Sequence, residues 1–214
     1  MDEARPEEEQ VNAAGVVGDA LQGASMDSDE ALVRSARQGD FGAFERLFER
    51  HRVMVFRIAY RMTGRRDDAE DITQDAFLKA YQNLHRYRDE ARFTTWLVRI
   101  VTNLATDRAR MANRRHSLEQ QEAGGALDWM TVGTTREDPS ENLEREQMAR
   151  LVQAALAELP PHHRLMIVLR DLEEKDYQEI AGIVGTTVGG VKLRVLRARR
   201  ALRDKVNQML EKTP

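Results

Sequence analysis

Cysteine is absent from the 214 residues. That excludes a disulfide scaffold, thiol catalysis and any zinc site built on thiolates. Only five histidines occur, and none lies within reach of the carboxylates at 67–75 in the sequence. Aromatic residues make up 6% of the chain, so whatever core forms is aliphatic in the main. No run of 18 apolar residues exists; the stretch from Val53 to Met62 is broken by Arg57 and Arg61, too short and too charged to span a bilayer. The N-terminus is acidic where a secretion signal would be basic. These absences point to a cytoplasmic protein without membrane insertion. The length allows one ordinary domain or two small ones.

Charge is abundant but nearly balanced, with 33 basic against 36 acidic residues and a formal net charge of −3. Its distribution carries more information than its sum. Residues 1–30 hold nine carboxylates and one arginine, and residues 117–147 hold eight carboxylates against two basic residues. Between and beyond them the sign reverses: residues 45–116 hold sixteen basic against ten acidic residues, and residues 190–205 hold seven against one. Two basic blocks separated by acidic connectors are the electrostatic footprint of a polyanion binder, or else two solvated helical faces.

Helical periodicity runs through most of the chain, with no alternating or hairpin signal, so the fold class expected is all-α. Residues 1–27 read as a disordered acidic tail. Helices are expected from Ser28 to Gly39, from Phe41 to Gly64, from Asp67 to Leu84 and from Thr94 to Met111. Gly124, Gly125, Gly133 and Pro139 mark residues 117–139 as a flexible acidic linker with a root-mean-square span of roughly 26 Å. Periodicity resumes over Ser140–Leu159, Pro161–Leu172, Asp176–Val184 and Thr187–Met209. The division is therefore a tail at 1–27, a first domain at 28–116, the linker, and a second domain at 140–210.

Three segments carry specific chemistry. In the second domain, Asp176–Val184, Gly185 and the helix from Thr187 form a helix-turn-helix. Gly185 supplies the left-handed turn and Thr187 the cap. Val188, Val191, Val195, Ala198, Leu202 and Val206 make one apolar stripe, and Lys192, Arg194, Arg197 and Arg199 lie off it. A charged surface helix packing its stripe on a bundle is the bland reading; joined to the turn, the pattern favours a DNA-reading helix.

In the first domain, Asp67, Asp71 and Asp75 repeat at i, i+4 and i+8 within a segment that also holds Asp68, Glu70, Gln74 and Phe77. Like charges at that spacing repel, and the helix dipole compensates only the first turn. The face suits a protein partner, a divalent metal or plain solvation; a metal hydrolase usually gathers carboxylates from several elements with histidine or another base nearby, and no histidine lies within reach here. Downstream, Arg86, Arg88, Arg92 and Phe93 precede a helix carrying Trp96, Arg99 and Asn103. Interleaved guanidinium and aromatic groups suit unstacked bases, although Phe93 and Trp96 equally suit a core.

The segments Asp68–Phe77, Phe93–Asn103, Leu159-Pro160 and the helix-turn-helix ending in Arg197–Leu202, in that order, closely resemble the extracytoplasmic-function (ECF) class of bacterial RNA polymerase sigma factors. The resemblance implies two helical domains, sigma-2 and sigma-4, and no catalysis, cofactor or metal. It implies that Asp68, Glu70, Asp71, Gln74, Asp75 and Phe77 bind core RNA polymerase. By the same likeness, Arg86, Arg88, Arg92, Phe93, Trp96, Arg99 and Asn103 read and open the −10 element of promoter DNA. Thr187, Lys192, Arg194, Arg197 and Arg199 would read the −35 element. An anti-sigma factor is the further partner implied. The alternative is a helix-turn-helix regulator that binds duplex DNA without melting it. One departure stands out: Gly190 and Leu193 replace the threonine and serine common at those places.

Overall fold

The computed structural model describes residues 28–88, 91–119 and 139–211, and the descriptions below are of those residues. They form α1 (Asp29–Arg37), α2 (Phe41–Thr63), α3 (Arg66–Asn83), a 3-10 turn (Leu84–Arg86), α4 (Phe93–Glu119), α5 (Pro139–Glu158), α6 (Pro161–Ile167), a π-helical turn (Val168–Leu172), α7 (Tyr177–Val184) and α8 (Val188–Glu211). No strand occurs among the described residues, and the all-α expectation holds. The expected tail at 1–27 and most of the expected linker lie outside them. α4 runs on to Glu119, eight residues past its expected end at Met111.

Contacts group the chain into residues 1–47 and 48–214, a boundary inside α2. In the first unit, Ser28 caps α1 by accepting a hydrogen bond from the Ala31 amide at 3.2 Å, and Leu32, Val33 and Ala36 are buried. Asp40 does the same for α2, accepting from the Ala43 amide at 3.1 Å. The Ser35 hydroxyl donates to its other oxygen at 2.7 Å. That bond first, then the one from Ala43, holds the Asp40 carboxyl below its ordinary range.

The second unit contains both chemical blocks read from the sequence. One side of its core is built from Val55, Ile58 and Met62 of α2, Ile72, Ala76 and Phe77 of α3, and Leu97, Val98 and Val101 of α4, spaced three or four apart. α3 packs on α4. The other side gathers Leu156, Met166, Leu169, Ile180, Ile183, Val191 and Val195 where α5, α6 and α7 lie against α8. Each of these side chains except that of Ala76, removed from water, contributes about 1.5–3 kcal/mol. α4 also touches α6 and α7, which brings the two blocks into contact.

Candidate polymerase and promoter interfaces

On α3, Glu70, Asp71, Gln74 and Asp75 are exposed, as a docking face requires. The ladder is not uniform. Asp68, with its side chain 18% exposed, accepts from Arg108 of α4 at 2.7 Å, and Arg65 lies 3.6 Å away. Arg108 reaches Asp71 more distantly, at 3.8 Å. Glu70 pairs with Arg66 along the helix at 2.8 Å. Asp68 therefore fastens α3 to α4, and Asp75 is left without an ion pair among the described residues. Phe77 corrects the surface reading: it is 4% exposed, its ring set edge-on to Phe48 at 4.7 Å. Opposite α2 it is a core residue that fixes the acidic face without presenting itself.

The arginine-rich loop folds around Tyr87, which is buried and donates its hydroxyl to the Ala91 carbonyl at 2.5 Å. Its ring lies 6.0 Å from Phe93 and 5.2 Å from Trp96, and Phe93 and Trp96 are 5.8 Å apart. Phe93 is only 1% exposed and also meets His51 at 5.7 Å. It supports the loop from inside, and the expectation that it touches a base is corrected. Trp96 is half-buried. With Arg86, Ile100, Asn103 and Asp107, and with Lys79 and Asn83 of α3, it lines a pocket of about 370 Å³. Lys79 and Asn83 escaped the sequence reading; their only sign was the i, i+4 spacing at the end of α3. Arg88, Arg92 and Arg99 are exposed and stand outside this pocket.

In the helix-turn-helix, Asp176 and Glu179 form a reciprocal capping box at the start of α7. Gly185 ends the helix at φ 65°, ψ 48°, a left-handed conformation that a Cβ would strain. Thr187 caps α8, its hydroxyl accepting from the Gly190 amide at 3.1 Å. Val191, Val195 and Ala198 are buried, and Lys192, Arg194, Arg197 and Arg199 are exposed. Lys192 sits 5.7 Å from the Tyr177 ring centre. Arg199 pairs with Asp171, and the hydrogen bond to that carboxylate raises its pKa. At Gly190 a Cβ would stand 3.0 Å from the Thr186 hydroxyl and 3.3 Å from that of Thr187. The glycine that departs from the expected pattern thus makes room for two turn hydroxyls. Leu193 is 48% exposed beside the basic residues.

Two family descriptions match the chain: Sigma-70 region 2 over residues 47–115 and Sigma-70 region 4 over residues 149–202. ECF RNA polymerase sigma factor SigW of Bacillus subtilis (strain 168) is 31% identical across 83% of this chain and 96% of its own length. The ECF RNA polymerase sigma-E factor of Escherichia coli (strain K12) is 33% identical across 86% and 97%. The chain belongs to the ECF sigma factors. Among solved structures, CnrH in complex with the cytosolic domain of CnrY superposes with a TM-score of 0.60 at 26% identity, covering 87% of this chain and 99% of that one. The acidic helix and the Trp96 pocket of this sigma factor fall within region 2, and the helix-turn-helix within region 4.

Two further residues tie the regions of the sigma factor together, and sequence reasoning missed both. Glu173, its side chain 2% exposed, accepts from Arg57 at 2.8 and 2.6 Å. It accepts from Arg61 at 2.6 Å, and Arg61 also donates to the Leu172 carbonyl at 2.7 Å. The hydrogen bond to Glu173 raises the Arg57 pKa, whereas burial lowers that of Arg61. Arg164, 4% exposed, donates to the carbonyls of Leu156 at 2.7 Å and Leu159 at 3.3 Å, and to those of Ala157 and Met62. Burial pushes its pKa down to about 10. The negative ends of α2 and α5 thus hold a cation that has no carboxylate partner among the described residues.

Proposed function

We propose that this sigma factor divides its work between the two matched regions. It binds core RNA polymerase and directs promoter recognition and transcription initiation; region 2 docks through Glu70, Asp71, Gln74 and Asp75, and region 4 reads the −35 element through Lys192, Arg194 and Arg197. The observation that carries the reading is the Trp96 pocket. Arg86 offers a guanidinium, Trp96 a ring and Asn103 both a donor and an acceptor around a space that suits one extruded base. Removing a base from the stack costs a few kcal/mol, which stacking and edge contacts must offset in a protein that does no bond chemistry of its own.

The sigma factor acts in the cytoplasm, and among the described residues no helix is long and apolar enough to cross a membrane. CnrH was solved with the cytosolic domain of CnrY bound, and an anti-sigma factor is a further partner proposed for this chain. A duplex-binding regulator would have no use for an exposed carboxylate face or the Trp96 pocket.

Permanganate footprinting of promoter complexes tests the reading. Trp96→Ala or Asn103→Ala protein that melts normally and binds polymerase should give complexes lacking reactive thymines at the −10 element. Wild-type reactivity in both variants would move strand capture elsewhere.

A further inference from the structure

A second cleft, of about 710 Å³, opens between α4, α6, α7 and α8. Four guanidinium groups line it, Arg99 and Arg110 from α4 and Arg194 and Arg197 from α8. No carboxylate among the described residues pairs with Arg99, Arg194 or Arg197. The one acid on the wall, Asp107, faces Arg110 at 3.4 Å.

Inside the cleft the balance of donors and acceptors is incomplete. Two buried side-chain atoms among the described residues have no hydrogen-bond partner, Thr106 Oγ1 and His163 Nδ1. Both residues line this cleft. Burial first, then the nearness of His162 and Arg197, lowers the His163 pKa. Unpaired buried polar atoms are rare because each loses its bond to water without replacement. Uncompensated cations beside two of them describe a space fitted to an anion rich in oxygen.

We propose that this cleft binds a small oligophosphate, whose chain of phosphoryl oxygens takes the forks of Arg99, Arg194 and Arg197 and reaches Thr106 and His163. Arginine forks match phosphate oxygens two at a time, which favours phosphate over scattered carboxylates. The volume falls in the range of about 300–1,000 Å³ typical of small-molecule sites, too little to admit a duplex. An occupant ties α4 to α8 and covers Arg99, Arg194 and Arg197 together. It therefore competes with promoter DNA, a consequence that rests on the roles proposed above.

Calorimetric titration of the full chain with sodium tripolyphosphate at fixed ionic strength tests the site. One saturable site is expected. The isosteric Thr106→Val should weaken binding several-fold and the Arg99→Gln/Arg194→Gln/Arg197→Gln variant at least tenfold. A charge-matched Arg34→Gln/Arg46→Gln/Arg200→Gln control should stay within twofold. Inorganic phosphate, with fewer oxygens, should bind more weakly, and a nucleoside triphosphate comparably. Multiple weak sites, or equal losses in the control and with Thr106→Val unchanged, would overturn the site. In parallel, tripolyphosphate should displace a −35 duplex from the parent and do so less well from Thr106→Val. Saturable binding without displacement would uphold the site and overturn the promoter roles of the three arginines.

Discussion

Arg57 meets Glu173 through two parallel hydrogen bonds, Nε to Oε1 at 2.8 Å and Nη2 to Oε2 at 2.6 Å, across 116 residues of sequence. One partner lies in region 2, and the other is the residue that ends the π-helical turn leading into the helix-turn-helix. With Arg61 on the same carboxylate, the pair makes the acid a shared anchor for both regions.

Removing that anchor should loosen the molecule. Glu173→Gln keeps the shape and abolishes the charge, leaving two guanidinium groups around an amide. Hydrogen bonds to charged groups contribute about 1.5–3 kcal/mol, and solvent screening of the half-exposed Arg57 argues for the lower end. Urea unfolding should show a loss of about 1–2 kcal/mol. A double-mutant cycle with Arg61→Gln should give a coupling of at least about 0.5 kcal/mol. Unchanged midpoints in both single variants would mean that the contact adds nothing to stability.

On the proposed reading, the acidic helix carries one structural carboxylate, Asp68, and exposed carboxylates for docking. Asp68→Asn should lower the melting temperature, because Arg108 loses its 2.7 Å partner. Asp75→Lys should leave melting unchanged and weaken binding to core polymerase, since its side chain is exposed and unpaired among the described residues. Fluorescence anisotropy against purified core polymerase, read beside thermal melting, checks the split. Equal polymerase affinity for Asp75→Lys would remove the docking role.

The paired glycines of α8 should respond differently to alanine. At Gly189 nothing lies within 4 Å of an added Cβ, so Gly189→Ala should stabilise by about 0.5–1 kcal/mol through helix propensity and reduced unfolded-state freedom. At Gly190 the new Cβ presses on the Thr187 hydroxyl that caps the helix. A cap is worth roughly 1 kcal/mol, so Gly190→Ala should gain little or nothing. Equal stabilisation of both variants in denaturant titrations would show that the turn hydroxyls yield freely.

His163 makes stability fall on the acid side. Burial, then the charges of His162 and Arg197, holds its folded pKa below 6.5, so the unfolded chain takes up the proton first. Its contribution is complete above the unfolded value and is lost as pH falls from about 6.5 toward the folded pKa. A His163→Gln protein should show a flatter stability profile between about pH 7 and 5. An identical slope in parent and variant would assign the acid loss to other groups.

Local features were the most legible in the sequence. Gly185 and Thr187 announce the turn and the cap through residue type alone, and both take those positions. Asp71 and Asp75 reveal an exposed face by their spacing. Phe77 and Phe93 misled because a ring beside charged neighbours looks like a contact residue; only the packing of Phe48 and His51 against them decides that they are interior. α4 outran its expected end because no glycine or proline stops the chain between Met111 and Glu119. The Glu173 anchor and Arg164 were invisible for another reason: one joins residues more than a hundred apart, and the other is held by backbone carbonyls, which leave no mark in the sequence.

Promoter-specific initiation by core RNA polymerase is the activity proposed for this chain. The direct measurement is to map the 5′ ends of transcripts made by purified core polymerase from genomic DNA of the source organism, with and without the protein. Start sites present only with the protein, sharing sequence elements upstream and lost with Trp96→Ala or Asp75→Lys, are the expected result. No protein-dependent start, from a preparation that still retards duplex DNA, would contradict the account and leave a duplex-binding regulator in its place.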